Sequence, residues 1–243
     1  MNRINTLNES SLHKTLKLLY SIRNNGRTEI PVKNWICDIV SENGEIIEIQ
    51  NRNLGNIKEK VQGLLKCGKK VRIVHPVISE RNIKTFSEDG QILRQRKSPV
   101  KENIYTMLKE LTSYTDFLLD KNFTLEIPEI KIEEHRRQTT EPVQLINKSR
   151  RFKKNFIKTD KKLLSIGTSH IFKTKDDYLK LLPEISKEDF SSKDISLKFK
   201  EDKTYPANAI KYTNLLLWIL FHMNLLEKKS KKGNLIIYRR KSI

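Results

Sequence analysis

Asp38, Glu48 and Gln50 are the residues whose types and spacing offer chemistry. Trp35, Cys37 and Ile39 alternate with Asp38 and Val40, Glu42-Asn43-Gly44 supplies a turn, and Ile46, Ile47 and Ile49 make a second strand. The stretch therefore reads as a β-hairpin. Glu48 and Gln50 are two apart and leave one face of their strand, with Asp38 opposite them in the simplest register. Two carboxylates and an amide then converge on one spot. A hard cation such as Mg²⁺ or Mn²⁺ is held by one or two carboxylates, with waters and phosphate oxygens completing its shell. Such an ion activates water and stabilises charge developing on a phosphate. The other reading of the same residues is a solvated polar strand end beside a turn.

An Asp, a turn, and then Glu-x-Lys on a hydrophobic strand is the signature of the PD-(D/E)XK nuclease superfamily. Asp38 with Glu48-Ile49-Gln50 resembles it, with Gln50 in the Lys position. The resemblance implies that Asp38 and Glu48 hold the metal and that Gln50 orients water or the scissile phosphate. The superfamily's Lys helps orient or activate the attacking water, whereas Gln only hydrogen-bonds. Some restriction endonucleases of the superfamily carry Gln there. Its members often add a Glu from the preceding helix, and Glu9 sits where that residue is expected. The spacing Glu9, Asp38, Glu48, Gln50 looks most like the Holliday-junction-resolvase type of core.

The elements that must position these groups follow from periodicity. Glu9 to Arg23 carries Leu12, Leu16, Leu19 and Ile22 at helical spacing after Asn8 as N-cap, and Glu9 and His13 share a face. His13 is read either as a phosphate contact or as a surface histidine beside a carboxylate. One long strand, bent at Pro31, is expected from Thr28 to Val40, then a helix from Asn53 to Cys67 and a single strand from Val71 to Ile78. Helix, hairpin, helix, strand agrees with the αβββαβ core that the resemblance implies. The fold class expected is α/β, a mixed sheet flanked by helices of the restriction-endonuclease-like kind, with a smaller winged-helix domain.

Beyond this core, the pattern predicts a hairpin of Asn82–Phe86 with Gln91–Arg96, a helix from Asn103 to Leu119, and a last strand from Phe123 to Ile132. Arg94, Arg96 and Lys97 form a basic cluster that either grips a phosphate backbone or guards a solvated sheet edge. Periodicity is lost after residue 134, so 135–162 reads as a basic linker between domains at 1–134 and 163–243.

The net charge is +19 over 243 residues, which points to a polyanion, nucleic acid ahead of a membrane surface. Residues 146–243 hold 24 Lys/Arg against 10 Asp/Glu, net +14, which leaves 24 against 19, net +5, in the remainder. An AT-rich genome's Lys-rich habit is the alternative source of this charge. The last domain's order, helices at 175–182, 191–199 and 207–226 and then a basic hairpin over 227–240, resembles a winged helix-turn-helix. That resemblance points to Asn208, Lys211, Tyr212 and Asn214 for the groove, and to Lys229, Lys231 and Lys232 for the wing. A protein-interaction module is the other use of such a domain.

No Cys/His spacing suited to zinc, no phosphate-binding Gly-rich loop and no legible nucleophilic triad occurs. His75, His170 and His222 read as structural. No signal peptide or membrane span is legible, so the expected location is the cytoplasm, with Cys37 and Cys67 reduced. The expected function is a metal-dependent DNA endonuclease of the transposon-end, restriction or mobile-element type, with a homodimer or a recombination or defence protein as partner. The alternative is a non-catalytic DNA-binding or adaptor protein on a nuclease-like fold.

Overall fold

A computed structural model describes residues 10–144 and 153–241. Glu9 and Asn8 lie outside the described residues. Helix α1 is Ser11–Arg23, and Ser10 is its N-cap, its hydroxyl accepting from the His13 amide. Strands β1 (Arg27–Val32) and β2 (Trp35–Val40) follow. The expected single bent strand is thus a hairpin: Val32 pairs with Trp35 across Lys33-Asn34, and Lys33 takes a left-handed φ of 55°. Pro31 is tolerated because β1 is the sheet's edge.

Strand β3 (Ile46–Ile49) pairs antiparallel with β2 and parallel with β4 (Val71–Val74), and helix α2 (Lys58–Lys66) crosses between β3 and β4. The expected strand from Val71 to Ile78 is broken at His75-Pro76, after which β5 (Val77–Phe86) begins. Proline lacks the amide a continuous interior strand needs. Strand β6 (Ile92–Lys97) pairs with β5.

Residues 135–143 and 154–162, expected as linker, are strand. They belong to β7 (Phe123–Val143) and β8 (Lys154–Phe172), a long antiparallel pair. Cross-strand ion pairing replaces the apolar alternation that marks most strands. Glu134, fully buried, accepts from Arg136 at 2.7 Å and from Lys158 at 3.0 Å, and Lys84 of β5 meets Glu133 at 2.8 Å. Phe156 lies under the Arg136 guanidinium, 4.2 Å from ring centroid to charge. Because β8 runs along one side of β7, β4 and β5 share the other side in succession, β4 against Phe123–Glu126 and β5 against Glu129–Arg137.

The result is an α/β architecture with one large mixed sheet in the order β1-β2-β3-β4-β7-β5-β6, β8 alongside β7. Leu12, Leu16 and Tyr20 of α1 cover one face with Ile39, Ile47, Ile49 and Ile130. Val61 and Leu64 of α2 cover the other, with Ile46, Ile73 and Leu125. Gly63 on α2 has no side chain because the Trp35 ring lies against it.

The expected helix from Asn103 to Leu119 is α-helical only over α3 (Leu108–Leu111). Thr112, Ser113 and Thr115 are weak helix formers, and Tyr114 is drawn inward to donate its hydroxyl to the Leu54 carbonyl at 2.6 Å. The carboxyl-terminal part comprises α4 (Lys175–Leu179), β9 (Asp189–Ser191), α5 (Ser192–Glu201), α6 (Thr213–His222), β10 (Leu226–Lys232) and β11 (Leu235–Arg240). The three strands form a second sheet, β10-β11-β9. The expected helix from 207 to 226 is shorter, a 3₁₀ turn at Ala209–Tyr212 leading into α6, and Asn224 with φ 61° ends it. This part shares one continuous apolar core with α2, α3 and the large sheet, and Tyr105 donates its hydroxyl to the Leu181 carbonyl across the join.

Candidate active site

Strands β2 and β3 pair regularly at Val40↔Ile46 and Ile39↔Ile47 and then separate. Side chains take over the backbone groups exposed by that splay. The Asp38 amide donates to Glu48 Oε1 at 3.2 Å, and Asp38 Oδ2 accepts from the Ile49 amide at 2.9 Å. The two carboxylates expected to neighbour each other across the hairpin do so, each bonded to the other's strand. The Asn43-Gly44 turn, with Gly44 at φ 78°, and the pairing of Val40 with Ile46 beside it set this register.

Helices on the two faces supply counter-charges. From α1, Lys17 Nζ lies 3.2 Å from Asp38 Oδ1, and His13 Nε2 is 3.9 Å from Oδ2. From α2, Lys60 Nζ is 2.6 Å from Glu48 Oε2 and also donates to the Ile36 carbonyl at 2.6 Å. Burial alone would raise Asp38, but the hydrogen bond to His13, the Lys17 ammonium and the Ile49 amide outweigh it and hold this carboxyl down at about 2. Glu48 goes the other way. It is 3% exposed, and burial, reinforced by the Asp38 charge against the pull of Lys60, pushes its carboxyl up to about 7.

Gln50 does not join this pair through its amide. Its Nε2 donates to the Arg52 carbonyl at 2.6 Å and to the Asn53 carbonyl at 3.3 Å, bracing the loop after β3. Asp38 thus meets Lys17 and His13 of α1 and Glu48 meets Lys60 of α2, with the Gln50 amide turned to the loop. Lys17 and Lys60 were not singled out in the sequence. The available signal was a charged residue inside an apolar stripe: Lys60 falls between Ile57, Val61 and Leu64, and Lys17 follows His13 by one turn beside Leu16 and Tyr20.

The residues expected to contact nucleic acid are dispersed. Arg94, Arg96 and Lys97 are exposed on β6, the far edge of the large sheet, and Lys97 meets Glu80 at 2.9 Å. Asn208 is partly buried and accepts from the Asn103 amide at 2.7 Å, so it braces the carboxyl-terminal part against the loop before α3. Tyr212 packs beside Lys109, whose ammonium is 5.7 Å from its ring centroid. Lys211 and Asn214 are exposed at the start of α6, and Lys231 and Lys232 are exposed at the tip of the β10–β11 hairpin. Lys229 pairs with Glu227 at 3.0 Å. Among the described residues, no helix is long and apolar enough to cross a membrane.

The chain is similar to an uncharacterized protein of Treponema pallidum (strain Nichols), 31% identical over 191 residues that cover 75% of this chain and 70% of that protein. No solved structure matches it. Residues 10–173, which run from the cap of α1 to the end of β8, match the family described as Domain of unknown function (DUF8091). The splayed hairpin with Asp38, Glu48, Lys17 and Lys60 lies within that match, and the chain belongs to this family.

Proposed function

We propose that the protein is a Mg²⁺- or Mn²⁺-dependent endonuclease acting on DNA in the cytoplasm, built on a PD-(D/E)XK-like core and targeted by a carboxyl-terminal winged helix. The observation that carries this reading is the Asp38–Glu48 pair at the splayed ends of β2 and β3. Burial raises the proton affinity of Glu48, and the Asp38 charge adds to the rise against the pull of Lys60. A divalent cation relieves that arrangement. The donor set fits Mg²⁺: hard carboxylate oxygens, two in number, with the Asp38 side chain one-fifth exposed to receive water and phosphate. Asp38 and Glu48 would hold the ion, with Glu9 as the resemblance implies. When bound, it would activate water and offset charge developing on the scissile phosphate.

The chain's own groups act around it. Lys60, anchored on the Ile36 carbonyl, keeps an ammonium beside Glu48 and supplies the positive charge that Gln50 cannot. His13, with Lys17 and the Ile49 amide, holds Asp38 ionised. The order α1-β1-β2-β3-α2-β4 supports the αβββαβ core. In the carboxyl-terminal part, the order α4-β9-α5-α6-β10-β11 with β11 between its two partners supports the winged helix. Exposed Lys231 and Lys232 at the hairpin tip suit phosphate contacts. A homodimer, or a recombination or defence protein, would supply the second cut of a duplex.

A second reading has its own observation. Lys17 and Lys60 already neutralise the two carboxylates, which suits a non-catalytic DNA-binding adaptor that keeps the pair for structure. Cleavage of plasmid and branched DNA with Mg²⁺ or Mn²⁺, by wild type and by Asp38→Ala and Glu48→Ala at matched DNA affinity, separates the two.

A further inference from the structure

Beside the hairpin lies a cavity of about 280 Å³ that the nuclease reading does not use. It opens past the carboxyl ends of the parallel strands β3 and β4, the place where open α/β sheets take ligands. Its floor is the His75-Pro76 break between β4 and β5, and Met107 and Ile130 give it apolar sides.

The polar groups on it are out of balance. His75 is 6% exposed, and its Nδ1 has no hydrogen-bond partner among the described residues. The Asn51 side-chain oxygen is likewise buried and without a partner. Natural interiors rarely leave such atoms unpaired. Burial keeps the His75 imidazole neutral, the Gln50 backbone beside the ring favours its proton there, and the other nitrogen of a neutral imidazole presents a lone pair. Both orphan atoms are then acceptors, and what they lack is an N–H or O–H donor.

Cations stand at the same cavity. Lys161 and Arg52 line it together with Glu102 and Glu110; Glu102 is engaged by Arg81 and the Ile78 amide, and Glu110 by the Leu54 amide. Burial, with Arg52, Lys158 and Arg81 around it, pushes the Lys161 ammonium down to about 8. An anion would satisfy this group.

We propose that the cavity binds one nucleotide with an amino-bearing base, adenine or cytosine. Its phosphate meets Lys161 and Arg52, its base lies between Met107 and Ile130, and its exocyclic amine donates to Asn51 Oδ1 and His75 Nδ1. The volume, near the lower end of the roughly 300–1,000 Å³ typical of small-ligand sites, suits a single nucleotide. A carbonyl at the amine's position, as in uracil against cytosine, would set acceptor against acceptor. The inference stands apart from metal-dependent cleavage, because binding alone tests it.

The nucleotide comes either free or as a unit of a nucleic-acid strand. Calorimetric titration of the full chain with AMP, CMP, UMP, inorganic phosphate and a short oligo(dA) tests the assignment. The expected result is saturable binding of AMP or CMP, or of the oligonucleotide, at least about tenfold tighter than of UMP or phosphate. Lys161→Met weakens it about tenfold or more, and Asn51→Leu removes the preference over UMP. Binding of the mononucleotides without the oligonucleotide assigns a free ligand; displacement of AMP by oligo(dA), or binding of oligo(dA) alone, assigns a strand. The proposal is overturned if no nucleotide binds better than phosphate, or if Lys161→Met, shown folded by circular dichroism, binds as tightly as wild type.

Discussion

The Asp38 amide donates to Glu48 Oε1 at 3.2 Å while the Asp38 carboxylate accepts from Ile49, so each acid closes a gap left by the other's strand. This reciprocal arrangement makes the carboxylates part of the hairpin's hydrogen bonding as well as its chemistry. Loss of one charge disturbs the other. Asn and Gln variants, which keep the shape and accept hydrogen bonds, therefore serve better than Ala where folding is measured.

Lys60→Met leaves the buried Glu48 carboxylate without its ammonium. Removing one member of a buried pair costs about 3–5 kcal/mol, and urea unfolding at pH 8 should show a loss of that order. Because Glu48 then takes up a proton more readily, the loss is smaller at pH 5. Lys60→Met combined with Glu48→Gln should recover much of the stability, since no buried charge is left alone.

The raised carboxyl of Glu48 also sets a pH dependence. Its free value is 4.5 and its folded value about 7, so between the two the folded chain binds more protons than the unfolded one. The contribution is fully present below about 4.5 and is lost as pH rises through 7. Stability measured by denaturant from pH 4.5 to 8 should fall along this limb, and Glu48→Gln should flatten it. Asp38 acts oppositely: lowered from 3.8 to about 2, its contribution is present above 3.8 and lost as pH falls through 2.

If the hairpin tip of β10 and β11 touches the nucleic-acid backbone, Lys231→Ala with Lys232→Ala should weaken DNA binding. Each phosphate contact contributes about 0.9 to the slope of log affinity against log salt, so the double variant should lower that slope by about 2. Sequence preference should stay unchanged, because phosphate contacts carry none. Fluorescence anisotropy across a salt series measures both.

The hairpin and its two acids were legible because three isoleucines, an Asn-Gly turn and period-two spacing leave one register. The β7–β8 pair was not, since its outer half replaces apolar alternation with ions: Arg136 and Lys158 look like part of a solvated linker until they are seen to meet the buried Glu134. Lys17 and Lys60 were hidden for a related reason. A lysine within a helical apolar stripe reads as a surface residue snorkelling outward, and only the position of the acids across the interface shows that it points in. His75 reads as core because its neighbours are apolar, and only the fold shows that its Nδ1 has no partner among the described residues.

The most direct test of the central claim is single-turnover cleavage of plasmid and branched DNA with Mg²⁺ or Mn²⁺, comparing wild type with Asp38→Asn and Glu48→Gln at equal DNA occupancy. Removing a group that stabilises the transition state typically costs about a hundredfold or more. Cleavage by the wild type, lost by at least that factor in both variants while binding persists, is the result the account predicts. A wild type that binds DNA but cuts none of these substrates with either metal, or variants that cut as fast as wild type, would contradict it.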